Sequence, residues 1–146
     1  MEDVLHSLTG LKPRPEEWSQ ILQQCKKIAV VGLSPKESRD SNKVARYLLK
    51  NGYEVVPVNP GQREILGRTC YKSLSDIPFQ VDMANLFLNP ARVPPVVDQA
   101  IEAGIKVVWM QLGVIHMDAA KKAREAGLQV IMDQCIMVEH RNWVRG

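Results

Sequence analysis

Residues 28–60 constrain the fold of this chain more than any other stretch. Ile28-Ala-Val-Val-Gly-Leu-Ser-Pro reads as a buried strand that runs into a glycine turn. A polar stretch from Lys36 to Lys43 leads into a helix, and a second strand, Tyr53-Glu-Val-Val-Pro-Val, stops at Asn59-Pro60-Gly61. Nucleotides bind on strand–turn–helix–strand units of this kind, because the turn brings backbone N–H groups to the start of a helix. Two parts of the dinucleotide fingerprint are missing. Gly32 stands alone where three glycines are expected, and the second strand ends in Asn59, where an NAD site uses Asp or Glu on the ribose. The framework points to a nucleotide and its details point away from NAD.

A weak rhythm extends this unit along the chain. Lys50-Asn-Gly-Tyr-Glu-Val-Val, Glu102-Ala-Gly-Ile-Lys-Val-Val and Glu125-Ala-Gly-Leu-Gln-Val-Ile each place a glycine after a helix and a β-branched strand after the glycine. Glycine closes a helix in the left-handed conformation, and strands apolar on both faces are those of a helix-covered parallel sheet. The pattern predicts strands near 27–32, 53–58, 81–88, 106–111 and 128–132, and helices near 41–51, 93–103 and 117–126. A short helical turn is expected at Ser73 to Ile77. A further helix from Pro15 would carry Trp18, Ile21, Leu22 and Cys25 on one face. Alternation of helices and strands implies right-handed crossovers and an open α/β sheet with helices on both faces. The expected strand order is 3-2-1-4-5, which places the ligand over a switch point between strands one and four, at the carboxyl ends of the strands.

Residues 1–146 form one expected domain, with 1–14 a loose N-terminal segment. A hydrophobic fraction of 45% with 24% charged residues suits a soluble globular protein. No apolar run approaches the ~20 residues that span a bilayer, and Met1-Glu-Asp-Val-Leu-His lacks the features of a signal peptide. A net charge of +3 from dispersed basic residues argues against nucleic acid and suits a small anion. Cys25, Cys70 and Cys135 are odd in number and form no CxxC pair, which favours a reducing, cytoplasmic setting over a disulfide framework.

The candidate site follows from the strand ends. After the first strand, Gly32 leaves the backbone open to a phosphate, and Ser34, Pro35, Lys36 and Arg39 continue the turn towards Lys43. After the second, Asn59, Pro60, Gln62 and Arg63 offer a rest for an adenosine and a cation for an extra phosphate. Phe87, Leu88 and Asn89 follow the third strand. Gln111 can read a ligand through its amide at the end of the fourth, where Leu112 and Gly113 leave room. Trp109 is expected in the core. His6, His116 and His140 are too scattered to pair as metal ligands, and no two carboxylates are placed for acid–base work. Asp82 and Asp133 flank strands and are expected to cap or orient loops. No catalytic or metal-binding residue is assigned.

Taken together, these segments resemble the CoA-binding domain family: small stand-alone bacterial and archaeal proteins similar to the N-terminal domain of the succinyl-CoA synthetase alpha subunit. The likeness covers about residues 16–142. It is carried by Ile28 to Ser34, Gly52 to Pro60, Ile65-Leu-Gly, Val107-Val-Trp-Met-Gln-Leu-Gly-Val and Met132-Asp-Gln-Cys-Ile-Met-Val-Glu-His. It implies a Rossmann-type fold that holds coenzyme A, with phosphates on the loop after Gly32 and Leu86 to Pro90 beside the adenine or pantetheine. The chain departs from the family at Gln62, where the synthetase has the lysine of a Pro-Gly-Lys, and at Gln134, where small members often carry arginine. The synthetase's phosphorylated histidine comes from a further domain that has no counterpart in this sequence, and its glutamate near the fourth strand's exit has no clear match beside Gln111.

The resemblance implies a protein that binds CoA or acyl-CoA without independent catalysis. An NAD(P)-binding enzyme or redox sensor, or an interaction module with a vestigial pocket, are the alternatives. The expected partner is the small-molecule ligand, with no nucleic acid and no membrane; a homo-oligomer or a partner enzyme subunit remains open.

Overall fold

The computed structural model describes residues 15–146, so the expectation of a loose segment over 1–14 lies outside the described residues. Helix α1 (Pro15–Gln24) precedes strand β1 (Lys27–Val31), helix α2 (Asp40–Lys50) and strand β2 (Glu54–Val58). A small hairpin, β3 (Glu64–Ile65) and β4 (Arg68–Thr69), and a 3-10 turn (Leu74–Asp76) lead to β5 (Met83–Leu86). A second 3-10 turn (Pro90–Arg92) opens α3 (Val93–Glu102), and β6 (Val107–Met110), α4 (Met117–Glu125), β7 (Gln129–Ile131) and α5 (Ile136–Arg145) complete the chain.

β1, β2, β5, β6 and β7 form one parallel sheet, as the β-branched runs and their helical crossovers predict. Residues along each strand alternate between two apolar layers. Ile28, Val30, Met83, Trp109 and Ile131 face α1, α2 and α5, whereas Ala29, Val31, Ala84, Leu86, Val108 and Val130 face α3 and α4. Ile28, Ala29 and Val30 have no exposure at all, and at ~1.5–3 kcal/mol for each large apolar side chain such strands anchor the fold. The glycines of the repeated rhythm, Gly52, Gly104 and Gly127, all have positive φ and close α2, α3 and α4. Ile21 and Leu22 of α1, and Cys25 just beyond it, are buried in the same layer as Ile28 and Val30, with Trp18 at the margin.

The order of the sheet is β2-β1-β5-β6-β7, or 2-1-3-4-5 counting its own strands, which corrects the expected 3-2-1-4-5. The third strand lies against β1, with Ile28 opposite Met83 and Val31 opposite Leu86. Pro57 supplies the physical reason: it lacks an N–H, so β2 cannot carry a full ladder on its second side and must lie at an edge. Among the described residues a single bridge forms there. Tyr71 donates its N–H to Pro57 O at 3.0 Å and accepts from the Asn59 N–H at 2.9 Å. The switch point therefore lies between β1 and β5 rather than between the first and fourth strands.

Candidate functional site

In a parallel sheet the helices that follow the strands begin at the carboxyl edge, so their unpaired N–H groups and positive dipole ends gather there. The structure brings to this edge all four predicted groups: Gly32 to Arg39 after β1, Asn59 to Arg63 after β2, Phe87 to Asn89 after β5, and Gln111 to Gly113 after β6. A cleft of 390 Å³ opens at the β1/β5 switch, lined by Gly32, Ser34, Ser38, Arg39, Asp40, Ser41 and Phe87. Arg39 occupies the N-cap of α2 without a side-chain cap, so the first amides of the helix remain uncapped beside the cleft. Lys36, Arg39 and Lys43 are exposed and add positive charge.

The loop is held by its own side chains. Ser41 Oγ accepts the Ser34 N–H at 3.0 Å, Ser34 Oγ accepts the Lys36 N–H at 3.1 Å, and Asn42 Nδ2 donates to Ser34 O at 2.9 Å. Arg46 ties both ends together, donating through Nε to Asn42 Oδ1 at 2.8 Å and through Nη2 to Glu37 O at 2.9 Å. Ser41 and Asn42 are buried polar residues at the start of α2, and this burial is the structural reason for their hydrogen bonds. Ser41, Asn42 and Arg46 are not among the residues expected from the sequence, where two polar residues at the opening of an amphipathic helix are their signal.

Several predicted residues have structural duties. Gly32 has φ +85, and a Cβ there would overlap the Phe87 carbonyl oxygen, so the glycine is needed for the approach of the β1 turn to the β5 exit. Asn59 spends both ends of its amide on the protein: Nδ2 donates to Leu33 O at 2.9 Å and Oδ1 accepts the Gly61 N–H at 2.8 Å. Asn89 caps the turn at Pro90, accepting the Ala91 N–H at 3.0 Å. Pro35, Pro60 and Arg63 are exposed at the rim, and Gln62 and Leu88 are half-buried beside them.

Around β6 lies a buried polar network. Gln111, 4% exposed, accepts at Oε1 from Asn85 Nδ2 at 3.2 Å and from the Ile136 N–H at 2.9 Å. Asn85 Nδ2 also donates to Trp109 O at 3.3 Å, and its Oδ1 has no partner among the described residues. Trp109 is fully buried, as expected, and its Nε1 donates to Gln134 O at 2.9 Å. Asp133 Oδ1 accepts the Gly113 N–H at 2.7 Å, and Asp82 accepts the N–H groups of Lys26 and Lys27, both at 2.9 Å. Both aspartates orient loops, as expected. Asn85 is not among the residues expected from the sequence, although an amide within Met83-Ala-Asn-Leu is out of place in an apolar strand.

The two histidines among the described residues lie apart from the cleft. His116 Nδ1 accepts the Ala119 N–H at 3.1 Å and caps α4. His140 meets the Tyr47 hydroxyl at 2.8 Å through Nδ1 and packs edge-on against Tyr53 and Trp143, so it serves an aromatic cluster. Burial pushes its pKa down and that of the neighbouring Glu139 up. Two larger hollows, of 520 and 470 Å³, lie at the opposite end of the sheet around Gln80 and Val81. Helices following parallel strands present their carbonyl ends on that side, a poor environment for phosphate.

The family model of the CoA binding domain matches residues 26–141, from the start of β1 to α5. The chain belongs to the CoA-binding domain family. The Bacillus subtilis protein YneT is 39% identical over 128 residues, which cover 88% of this chain and 95% of YneT. A solved structure from Pyrococcus horikoshii matches with a TM-score of 0.88 at 46% identity, covering 90% of this chain and 93% of that one. The alpha subunit of an ADP-forming acetate–CoA ligase from Pyrococcus furiosus is 38% identical over 122 residues; the match takes in 73% of this chain but only 26% of the subunit. This CoA-binding domain is thus similar in extent to small single-domain relatives and to one part of much longer ligases. Among the described residues, no helix is long and apolar enough to cross a membrane.

Proposed function

We propose that this CoA-binding domain holds CoA or acyl-CoA across the carboxyl ends of β2, β1, β5 and β6, without catalysing acyl transfer by itself. The observation that carries the reading is the uncapped start of α2 in the switch-point cleft, on a loop braced by Ser34, Ser41, Asn42 and Arg46. Such a loop presents fixed N–H donors to an anion, and Lys36 and Arg39 supply opposite charge. Gln62, Arg63 and the turn at Pro60 would flank the adenosine side; Phe87, Leu88, Asn89 and the Gln111–Gly113 segment would flank the pantetheine.

Selectivity follows from the end of β2. NAD recognition at that position uses a carboxylate on the ribose, whereas the Asn59 amide is consumed by Leu33 and Gly61. Calorimetry with CoA, acetyl-CoA and NAD tests the assignment, with CoA or acetyl-CoA binding more tightly. Equal or tighter NAD binding would reject it, and failure of all three to bind would favour an interaction module. Catalysis is tested by incubating the pure protein with CoA, acetate and ATP; thioester formation that survives further purification would refute its absence.

A further inference from the structure

The amide of Gln111 is locked in one orientation. Its Oε1 faces two donors, Asn85 Nδ2 and the Ile136 N–H, and a flipped amide would set its own NH₂ against both. The Nε2 hydrogens are left with no partner among the described residues. The enclosed side-chain atoms without partners among those residues are Trp18 Nε1 and Asn85 Oδ1, so Gln111 Nε2 reaches the surface of the carboxyl edge from a side chain only 4% exposed. A buried amide with free donors at a binding edge is arranged for an acceptor that the protein does not supply.

The neighbouring chain indicates what that acceptor belongs to. Leu112 is 70% exposed and Ile115 42% exposed, an apolar rim beside a polar donor. Gln111 follows β6 and Gly32 follows β1, with β5 between them. Two strand spacings separate these points, roughly 10 Å, a gap that a pantetheine arm spans. A nucleotide with its phosphates at the α2 cleft can therefore reach Gln111 with the far end of its arm.

We propose that Gln111 Nε2 donates to the carbonyl oxygen of an acyl thioester, so that the domain selects short-chain acyl-CoA over free CoA; this rests on the CoA reading above. A free thiol is a weak acceptor and leaves the Gln111 donor to water, whereas a thioester carbonyl accepts from it directly and its acyl group meets the apolar rim.

Calorimetry with acetyl-CoA, CoA and S-ethyl-CoA separates these contributions, because the thioether matches the acetyl group in size but lacks the carbonyl. Wild-type protein is expected to bind acetyl-CoA about tenfold more tightly than either of the others, a difference of about 1.4 kcal/mol. In Gln111→Glu the carboxylate still accepts from Asn85 and Ile136 but offers no donor, and the preference should fall to near unity. Equal binding of acetyl-CoA and S-ethyl-CoA by the wild type would overturn the inference without any variant. Discrimination retained by folded Gln111→Glu would overturn the role of Gln111. Binding of none of the three would instead overturn the CoA reading itself.

Discussion

The side-chain amide of Asn59 joins two loops of the site, with Nδ2 donating to the carbonyl of Leu33 across a separation of 26 residues. Asn59→Asp would add the acid that an NAD site uses, but it would also set a carboxylate oxygen against the Leu33 carbonyl. The expected result is a loss of about 1–3 kcal/mol of stability, the range for breaking a bond to a partly buried acceptor, and no gain of NAD binding. Urea denaturation and an NAD titration on the same preparation check both halves. An unchanged urea midpoint would show that the bond does not hold the loops.

Gly32→Ala should destabilise the fold far more than Gly52→Ala. Both glycines have positive φ, and both substitutions incur the left-handed penalty of roughly 1–2 kcal/mol. At Gly52 an added Cβ meets nothing within 4 Å, whereas at Gly32 it overlaps the Phe87 backbone, which cannot swing aside. Comparison of denaturation midpoints tests this, and equal losses would show that clearance from Phe87 is not the reason for the glycine.

What could be read from the chain divides along sequence separation. The helix-closing glycines and β-branched runs are local signals, and they located each strand of the main sheet and four of the helices. The strand order was also written locally, in Pro57, since a strand that contains proline belongs at an edge; the simpler nearest-neighbour order obscured it. Helix α5 escaped because its buried face carries Glu139 and His140 beside Ile136, which hides the apolar period. The two-residue strands of the hairpin are too short for any period to show. At the site, the fold dictated which residues reach the carboxyl edge. Their roles rest on partners far away in sequence, such as Leu33 for Asn59 and Ile136 for Gln111, and no local pattern encodes those pairs.

The three cysteines should separate by reactivity. Burial, reinforced by the charge of Asp82, pushes the Cys25 thiol up to about 12, and burial also raises that of Cys70. Alkylation needs the thiolate and access to it. Cys135 is half-buried at the start of α5, directly before the Ile136 whose N–H reaches Gln111. Iodoacetamide at pH 8 should label Cys135 first, with Cys25 and Cys70 modified only after denaturation, as peptide mass mapping would show. Saturating acetyl-CoA should slow the labelling of Cys135. Rapid labelling of Cys25 in the folded protein would contradict the buried α1–β1 junction.

Glu139 and His140 are adjacent and buried, yet they respond to acid in opposite senses. Burial holds the folded pKa of His140 below the 6.5 of the unfolded chain, so the native state binds fewer protons there. Its contribution to stability is complete above pH 6.5 and declines as the pH falls from that value towards the folded pKa. Burial raises the folded pKa of Glu139 above 4.5, so the native state binds more protons at this site, and stability increases as the pH falls through the folded pKa towards 4.5. In the wild type the two effects act on stability with opposite signs as the pH falls. Glu139→Gln removes one of them while keeping a side chain of the same shape. The variant should be more stable than wild type at pH 7, where it no longer buries a carboxylate, and that advantage should shrink on acidification as Glu139 in the wild type takes up its proton. Urea midpoints between pH 4.5 and 7.5 test this. A stability difference that stays constant across the range would show that Glu139 has the same pKa folded and unfolded, and would remove burial as the cause.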